Sequence, residues 1–359
     1  MPSDGFSYAP QGKPRPVCQA GEFPFAAIGL DHGHIFGMCN GLIEAGGTLR
    51  WVYDPDRARV AAFRERYPEV TAARSENEVL DDPGVRLVAG AAVPADRASL
   101  GERVMGHDKD YFCDKPPLTT LAQLAEARRM VVATGRKYAV YYSERLHVES
   151  AVLAGQLVEK GAIGRVVQVL GLGPHRINAP TRPGWFWDKE RYGGILCDIG
   201  SHQIEQVLHF TGAKDGRIVY SRVANYAHME HPGFEDFGEV ALVTDTGAAG
   251  YCRVDWFTPD GLPTWGDGRT FILGTEGYIE LRKYIDIARD GNGDHLYLVD
   301  QAGETHISAD GQVGYPYFGQ LILDCLERTE RAMTQQHAFA AAELCLIAQA
   351  QAEAYPLGT

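Results

Sequence analysis

Apolar and polar residues follow two different rhythms along the chain. From Phe25 to Tyr142, short apolar runs are separated by segments in which apolar residues recur every three or four positions. Strand patterns that alternate with helix patterns in this way predict a parallel, doubly wound α/β sheet. The predicted strands lie at 25–29, 49–53, 85–93, 111–113 and 138–142, and the main predicted helices at 37–45, 55–67, 96–107 and 120–135.

After residue 142 the pattern favours longer strands joined by turns, after a helix predicted at 148–160. Strands are predicted at 164–172, 217–226, 239–244, 249–257, 269–273, 278–282 and 295–299, and closing helices at 318–332 and 338–354. Turn sequences such as Asp245-Thr246-Gly247 indicate hairpins, so this part predicts a mostly antiparallel sheet with helices on one face. We therefore expect three parts: an N-terminal extension of residues 1–24, a Rossmann domain of residues 25–142, and an α+β domain of residues 143–359 with a large open sheet.

Composition excludes several classes of partner. The net charge of -13, without a visible basic cluster, argues against nucleic acid and anionic membrane surfaces. Seven scattered cysteines without a C-x-x-C pair indicate reduced thiols in a cytoplasmic protein and predict neither a disulfide framework nor a zinc site. The first 24 residues lack the apolar core of a signal peptide, and no apolar run is long enough to span a membrane.

A glycine-containing segment, Gly29 to Gly37, lies between the first predicted strand and helix, which is the context of a dinucleotide-binding turn. Asp54 ends the next strand, where a carboxylate accepts hydrogen bonds from a ribose diol and repels a 2'-phosphate. NAD(H) is therefore expected in preference to NADP(H). The segment carries Asp31 where the second glycine of the motif belongs, and we expect Asp31 to face away from the pyrophosphate or to meet a donor such as His32 or a backbone amide. The alternative is a glycine turn that serves only helix packing.

The segment from Gly193 to Glu205 begins with two glycines and continues with apolar residues at helical spacing, which predicts a buried helix. Asp198 and His202 are four residues apart and therefore share one face of that helix. A carboxylate beside an imidazole favours its charged form, which suits proton transfer to a hydroxyl or carbonyl. The alternative is a histidine satisfied by a carboxylate inside a core helix.

These motifs, together with Asp114-Lys115-Pro116 at the end of a predicted strand, resemble those of the Gfo/Idh/MocA family of nicotinamide-dependent sugar and polyol oxidoreductases over residues 25–355. The family's Glu-Lys-Pro motif is matched by Asp114, Lys115 and Pro116, with aspartate in place of glutamate. Its Gly-Gly-x-x-x-Asp-x-Gly-x-His motif is matched by Gly193, Gly194, Asp198, Gly200 and His202. The resemblance implies that the first domain binds NAD(H), that the lysine lies between nicotinamide and substrate, and that a carbohydrate-like substrate lies over the sheet of the second domain.

The predicted site residues fall into three groups, and no metal ligand is expected. Hydride transfer from a carbinol carbon requires removal of the hydroxyl proton, for which Lys115, Asp198 and His202 are the catalytic candidates. Aromatic faces stack on sugar rings and arginines bind carboxylates or vicinal hydroxyls, although the same aromatics could simply pack a long loop. The cofactor candidates are Gly29, Asp31, His32, Gly33, His34, Ile35, Asp54, Pro94 and Asp114, and the substrate candidates are Tyr142, Arg145, His175, Arg176, Trp185 and Trp187.

Three functions are compatible with these residues. The leading hypothesis is an NAD-dependent dehydrogenase or reductase that acts on CH-OH groups of a sugar, polyol or sugar acid. A lyase or glycosidase that oxidises its substrate transiently with tightly bound NAD would use the same residues. A nucleotide-sensing regulator without enzymatic activity is the third possibility, favoured by Asp31. The open sheet of the second domain further predicts a homo-oligomer, a dimer or a tetramer.

Overall fold

The computed structural model describes residues 4–12 and 15–354. The chain forms two compact units. The parallel-sheet unit contains residues 6–141 and 315–338, and the antiparallel-sheet unit contains residues 142–314 with short pieces from both ends of the chain. The chain thus enters the second unit at Tyr142, and a later segment, 315–338, groups with the parallel sheet.

The parallel-sheet unit contains six strands that are all parallel, in the order β3-β2-β1-β4-β5-β6. This confirms the predicted doubly wound sheet. The central strand β4 is buried along its whole length because helices cover both faces of the sheet. Its strands are β1 (Pro24–Ile28), β2 (Thr48–Tyr53), β3 (Thr71–Ala72), β4 (Leu87–Gly90), β5 (Asp110–Asp114) and β6 (Tyr138–Tyr141), and its helices are α1 (His34–Glu44), α2 (Arg57–Arg66), α3 (Glu76–Leu80), α4 (Pro94–Gly106), α5 (Leu121–Thr134) and α11 (Pro316–Glu327).

The helix-start signals of this unit show which local predictions hold. In α5, the Thr120 side chain accepts a hydrogen bond from the Gln123 backbone amide and the Gln123 side chain accepts one from the Thr120 amide, so a complete capping box begins the helix. In α3 only half of such a box forms: the Ser75 side chain accepts from the Glu78 amide, but the carboxylate of Glu78 accepts from the Arg74 amide. Helix α2 begins two residues after Pro55, which was predicted to start it, because the Asp56 side chain caps the Ala58 amide.

Helix α11 packs on the parallel-sheet unit through Phe318. Its ring lies 6.3 Å from that of Phe112 on β5 and also contacts α1 at Gly41, where a Cβ atom would come within 2.4 Å of it. A glycine in the middle of α1 therefore lets the aromatic ring approach the helix backbone. This packing explains why residues 315–338 group with the parallel sheet although they follow the antiparallel sheet in sequence.

The antiparallel-sheet unit contains nine strands in the order β14-β13-β12-β11-β7-β10-β9-β8-β15. All neighbours are antiparallel except β7 with β10 and β8 with β15, which confirms the predicted, mostly antiparallel sheet. Strands β14 and β15 were not predicted. The strands are β7 (Val166–Pro174), β8 (Gly216–Ala224), β9 (Phe237–Thr244), β10 (Ala249–Asp255), β11 (Arg269–Gly274), β12 (Tyr278–Arg282), β13 (His295–Asp300), β14 (Gly303–Ser308) and β15 (Glu353–Ala354), and the remaining helices are α6 (Ser143–Leu146), α7 (Glu149–Glu159), α8 (Lys189–Tyr192), α9 (Ile195–Asp198), α10 (Gly200–Thr211) and α12 (Gln335–Gln351).

Helix α10 covers one face of this sheet at β7, where the side chain of Gln203 lies against Gly171 and Gly173. The opposite face carries exposed apolar side chains on several strands, namely Val219, Val243, Leu273 and Tyr278. The sheet is therefore open on one side, as predicted.

The described part of the N-terminal extension lies against α1. The Asn40 side chain is within hydrogen-bond distance of the carbonyl oxygens of Ala9 and Pro10, and the Gly12 amide donates to the carboxylate of Glu44. These contacts place residues 9–12 along the second half of α1.

Two further predictions concern the environment of the protein. None of the seven cysteines, all of which lie in described segments, pairs with another. No helix among residues 4–12 and 15–354 is long and apolar enough to cross a bilayer. The cytoplasmic location stays a prediction.

Candidate active site

The turn between β1 and α1 has the geometry of a dinucleotide-binding loop. Gly29 has a φ of +76°, and a Cβ atom there would lie 2.8 Å from that of Ala92, so only glycine fits. Gly33 precedes the first residue of α1, His34, whose neighbour Ile35 is buried in the core. The beginning of α1 carries the positive end of the helix dipole, which suits a pyrophosphate. Its first N–H groups, those of His34, Ile35 and Phe36, already donate to His32 and Gly33.

Asp31 is held by donors that keep its charge paired. Its carboxylate lies 2.6 Å from Nη1 of Arg59 on α2 and also accepts a hydrogen bond from the backbone amide of Val93. Burial raises the pKa of Asp31, and the positive charge of Arg59 opposes that rise. A backbone donor was expected, but the charged partner is Arg59 and not His32.

Asp54 ends β2 as predicted, but it is completely buried. Its carboxylate accepts hydrogen bonds from the amides of Leu30, at 2.7 Å, and Asp56, at 2.8 Å, and lies 3.4 Å from Arg59. Asp54 therefore ties the loop after β1 to the end of β2. Arg59 is a cation beside both Asp31, predicted near the pyrophosphate, and Asp54, predicted near the ribose. The sequence did not reveal this contact because Arg59 lies on the helix that follows the strand.

His32, His34 and Asp114 form a buried cluster at the ends of β1 and β5. His34 Nδ1 lies 2.9 Å from one carboxylate oxygen of Asp114, and His32 Nδ1 lies 3.6 Å from the other. The backbone amide of His34 donates to His32 Nδ1, so this nitrogen carries no proton. Burial and the neighbouring His34 keep the pKa of His32 well below its usual range. His32 is therefore a neutral imidazole and not the cation of an ion pair.

Arg97 organises the turn that carries Lys115. It is completely buried on α4, and its guanidinium donates to the carbonyl oxygens of Ala92, at 2.7 Å, and Pro116, at 3.0 Å, to that of Lys115, and to the carboxylate of Asp114, at 2.9 Å. Burial alone would raise the pKa of Asp114, but the charge of Arg97 together with the neighbouring His34 and His32 outweighs it and holds the pKa well below its usual range. Arg97 thus neutralises Asp114 and fixes the backbone on both sides of the Lys115–Pro116 bond.

The sequence contains one signal for the role of Arg97. Arg97 shares a helical face with Gly101 and Val104, which are both buried, so an arginine stands in an otherwise apolar stripe. A buried arginine in such a stripe must be paired, and an acidic residue at the end of an adjacent strand, such as Asp114, is the expected partner. Pro94, a predicted cofactor residue, begins this helix.

The cluster of His32, His34 and Asp114 also has the composition of a metal site. One ligand atom each from His32, His34 and Asp114 lies within 4.8 Å of the other two, which is close enough to surround a cation. Arg97 and Lys115, however, place positive charge beside these groups, and a divalent ion would add to it in a buried place. The geometry therefore fits a metal and the charge does not, so the expectation that no metal is bound stays a prediction.

In the antiparallel-sheet unit, Gly193 and Gly194 both have φ near +90° and join α8 to α9. A Cβ atom on Gly194 would lie 2.3 Å from the side chain of Gln349. The single helix predicted here was wrong in one detail, because α9 ends at Asp198 and α10 begins at Gly200. His202 is buried in the first turn of α10, and Asp198 is partly exposed at the end of α9.

Arg182 is a positively charged side chain that interacts electrostatically with Asp198. The guanidinium of Arg182 lies over the rings of Phe186, at 4.7 Å, and Trp256, at 5.1 Å. Burial lowers the pKa of Arg182 to about 10, and the carboxylates of Asp4 and Asp198 oppose the shift. Arg182 is therefore still a cation at neutral pH, and it acts on Asp198 from the loop that follows β7.

Both arginines predicted to bind substrate already have protein partners. Arg145 pairs with the buried carboxylate of Glu205, with its Nε 2.8 and 2.9 Å from the two oxygens. Arg176 donates to the carbonyl oxygens of Pro259, at 2.8 Å, and Leu262, at 2.6 Å. These arginines hold structure together, and substrate contacts by them stay predictions.

Two of the predicted substrate residues, Trp187 and His175, already contact other aromatic rings. Trp187 stacks on His231, with ring centroids 3.9 Å apart and planes 16° apart, which favours the loop-packing alternative for this residue. Trp185 is partly exposed in the same loop, and Tyr142 is buried. His175 is buried beside the ring of Trp265, at 4.5 Å, and its Nε2 lies 3.8 Å from the carboxylate of Glu144.

Comparisons with known proteins agree with this architecture. Residues 28–142 match the model of the oxidoreductase family with an NAD-binding Rossmann fold, and residues 152–280 match the GFO/IDH/MocA C-terminal domain. The crystal structure of a protein from Erwinia carotovora atroseptica SCRI1043, described as an oxidoreductase, is 51% identical, with a TM-score of 0.91 over 93% of this chain and 100% of that one.

More distant relatives carry more specific names. The scyllo-inositol 2-dehydrogenase (NAD(+)) of Bacillus subtilis is 26% identical over 65% of this chain and 66% of its own length. A levoglucosan dehydrogenase in complex with NADH and levoglucosan shares the fold, at 17% identity and a TM-score of 0.74 over 90% of this chain and 95% of its own. The alignments span 39% to 66% of the length of the curated relatives. From the two family matches and the Erwinia structure we conclude that the chain belongs to the Gfo/Idh/MocA family.

Proposed function

We propose that the protein is an NAD-dependent oxidoreductase that transfers hydride between nicotinamide and a CH-OH carbon of a carbohydrate-like substrate. The observation that carries this proposal is the arrangement of the parallel-sheet unit. The glycine turn after β1, Asp54 at the end of β2 and Lys115 after β5 all follow the carboxyl ends of parallel strands, where ligands bind in open α/β sheets. A relative named as an NAD(+)-linked scyllo-inositol dehydrogenase, and a levoglucosan dehydrogenase of the same fold in complex with NADH, support the same class of substrate.

The residues present fit a bound dinucleotide. The backbone around Gly33 and the beginning of α1 would hold the pyrophosphate, and the loop that Asp54 ties to the end of β2 would face the adenosine ribose. Asp31 does not oppose this, because its charge is paired with Arg59. When bound, NAD supplies the hydride acceptor.

The roles of the catalytic candidates extend the proposal. The Lys115 ammonium would stabilise negative charge on the reacting oxygen, and His202, with Asp198, would take up or return its proton. Lys115 and His202 belong to different units, and their joint action on one oxygen rests on the sequence motifs.

The test is a panel of sugars, polyols and sugar acids incubated with NAD and followed by the absorbance of reduced nicotinamide. Tight NAD binding without turnover on any of them would favour the regulator.

The cofactor preference gives a separate prediction. NAD(H) should bind more tightly than NADP(H), because the carboxylates of Asp31 and Asp54 repel a 2'-phosphate and already share Arg59. Removing that cation with Arg59→Ala should widen the difference. Calorimetry with both cofactors on wild type and variant measures it. Equal or tighter binding of NADP to the wild-type protein would contradict the preference.

We also propose that the open face of the antiparallel sheet forms a homo-oligomer. Exposed apolar side chains on separate strands, including Val219, Val243 and Leu273, lie there, and such a face is suited to cover a second copy. Val243→Lys should shift the mass in sedimentation experiments towards the monomer, whereas Val132→Lys on α5, an equally apolar and more exposed position, should not. A wild-type protein that sediments as a monomer at all concentrations would contradict the proposal.

A further inference from the structure

A buried polar cluster lies beside His202 in the antiparallel-sheet unit. The residue after His202, Gln203, lies over two glycines of β7, and a Cβ atom on Gly171 would come within 2.6 Å of its Oε1. The side-chain amide of Gln203 donates to the carboxylate of Glu144 at 2.8 Å. The same carboxylate oxygen accepts from Nζ of Lys283, which follows β12, at 3.2 Å. Three distant segments thus bring one carboxylate, one ammonium and one amide together.

The cluster is buried but incompletely hydrogen-bonded. Glu144 is 2% exposed, Lys283 1% and Gln203 0%. Within the described segments, neither Glu144 Oε1 nor Gln203 Oε1 has a hydrogen-bond partner. Lys283 Nζ has three hydrogens and donates one of them, to Glu144. Buried polar groups in proteins are almost always paired, so two acceptors and two donor hydrogens remain for something that both donates and accepts.

The charge of the cluster restricts what can complete it. Glu144 and Lys283 cancel each other, and burial lowers the pKa of Lys283 while Glu144 opposes that shift. A carboxylate ligand would meet two oxygen acceptors, and a cationic ligand would meet the ammonium. A hydroxyl group suits both, because it donates to an oxygen and accepts from Nζ.

We propose that Glu144, Lys283 and Gln203 form a subsite for non-reacting hydroxyl groups of the substrate, and that the substrate is therefore a neutral polyol or sugar and not a sugar acid. The inference rests on the proposed function and deepens it. Gln203 follows His202 on α10, and Oε1 of Glu144 lies 3.8 Å from Nε2 of His175, a predicted substrate residue, so the cluster adjoins residues of the predicted substrate site. Glu144 is a specificity residue in this account and not a catalytic one.

The test combines protein variants with substrate analogues. The double variant Glu144→Gln/Lys283→Met removes both charges together, so neither is left buried alone. On the best neutral substrate of the panel, KM should rise by a factor of about 10 to 100, the scale of one or two hydrogen bonds to charged groups, with kcat changed far less. The matched control is Arg282→Met/Asp286→Asn, which removes an ion pair next to Lys283 whose further partners are Glu280 and Tyr297, and it should leave KM unchanged.

Deoxy analogues separate binding from a purely structural role. Removing the hydroxyl group that occupies the subsite should raise KM in the wild-type enzyme and have little further effect in the double variant. Equal losses in both proteins for every deoxy analogue, or a lower melting temperature with unchanged KM, would overturn the proposal and leave a hydrated internal pair. A protein that binds no NAD would contradict the proposed function instead, and calorimetric titration with the neutral polyols would then decide the subsite without turnover. A sugar acid as the preferred substrate would also overturn the proposal that the cluster binds hydroxyl groups of a neutral substrate.

Discussion

Lys115→Ala is expected to abolish turnover, and His202→Ala to lower kcat by about 100- to 10,000-fold, the contribution of a positioned acid or base. NAD affinity should remain nearly intact in both variants. Lys115 should cause the larger loss because it is the only cation of its motif that can stand beside the reacting oxygen, whereas water can partly replace an imidazole. Steady-state kinetics on the best substrate of the panel, with calorimetry for NAD, measures both effects.

Lys109→Ala is the matched control for the lysine. Lys109 precedes the same strand, β5, and its ammonium donates to the carbonyl oxygens of Asp82 and Val85 at the opposite end of the sheet. Its loss should affect stability more than turnover. A His202→Ala enzyme with wild-type turnover across the pH range would show that His202 is a structural histidine of a core helix and would leave Asp198 without its proposed role.

Arg97→Met is expected to destabilise the fold by about 3–5 kcal/mol, because it leaves Asp114 as a buried carboxylate without its counter-ion. Equilibrium unfolding in denaturant at neutral pH measures this free energy. Asp114→Asn in the same chain should recover part of the loss, since it removes the unpaired charge, and Arg97→Lys should recover less because one ammonium cannot reach four acceptors. A loss below about 1 kcal/mol would mean that the pair is replaceable, as some buried ion pairs are.

The free energy of unfolding that Arg97→Met loses should depend on pH with a definite sign. Arg97 holds the pKa of Asp114 below its usual range in the folded protein. The ion pair therefore stabilises the fold fully above the pKa that Asp114 has in the unfolded chain, and this stabilisation is lost as the pH falls through the lower pKa of the folded state. The difference between wild type and Arg97→Met should therefore be largest near neutral pH and shrink in acid. A difference that grew on acidification would show that the stabilisation does not pass through the Asp114 carboxylate.

The sequence predicted those features that depend on local pattern. Apolar periodicity placed β1, β2, β5 and α5 within a few residues of their observed positions, because burial and capping act between neighbours in sequence. Strand β14 was missed because most of its side chains are at least partly exposed at the edge of the sheet, so it has no clear apolar alternation. The break between α9 and α10 is a single residue, Ile199, in helical conformation, which no periodicity detects.

What the sequence could not predict is which distant side chains meet. Arg59 pairs with Asp31, and Lys283 with Glu144, across 28 and 139 positions respectively. Such pairs depend on the packing of whole elements, whereas motif spacing describes a single element. The same limit explains why Arg145 was assigned to the substrate although Glu205 already holds it.

The proposed hydride transfer is tested most directly by isotope tracing. A substrate found in the panel is labelled with deuterium at the carbon that bears the reacting hydroxyl and incubated with NAD and the wild-type protein, and the nicotinamide is analysed by mass spectrometry. The account predicts one deuterium in the reduced cofactor, in step with loss of the label from the substrate, and no transfer by Lys115→Ala. Conversion of the substrate with the deuterium released to water, or retained throughout on the same carbon, would contradict it.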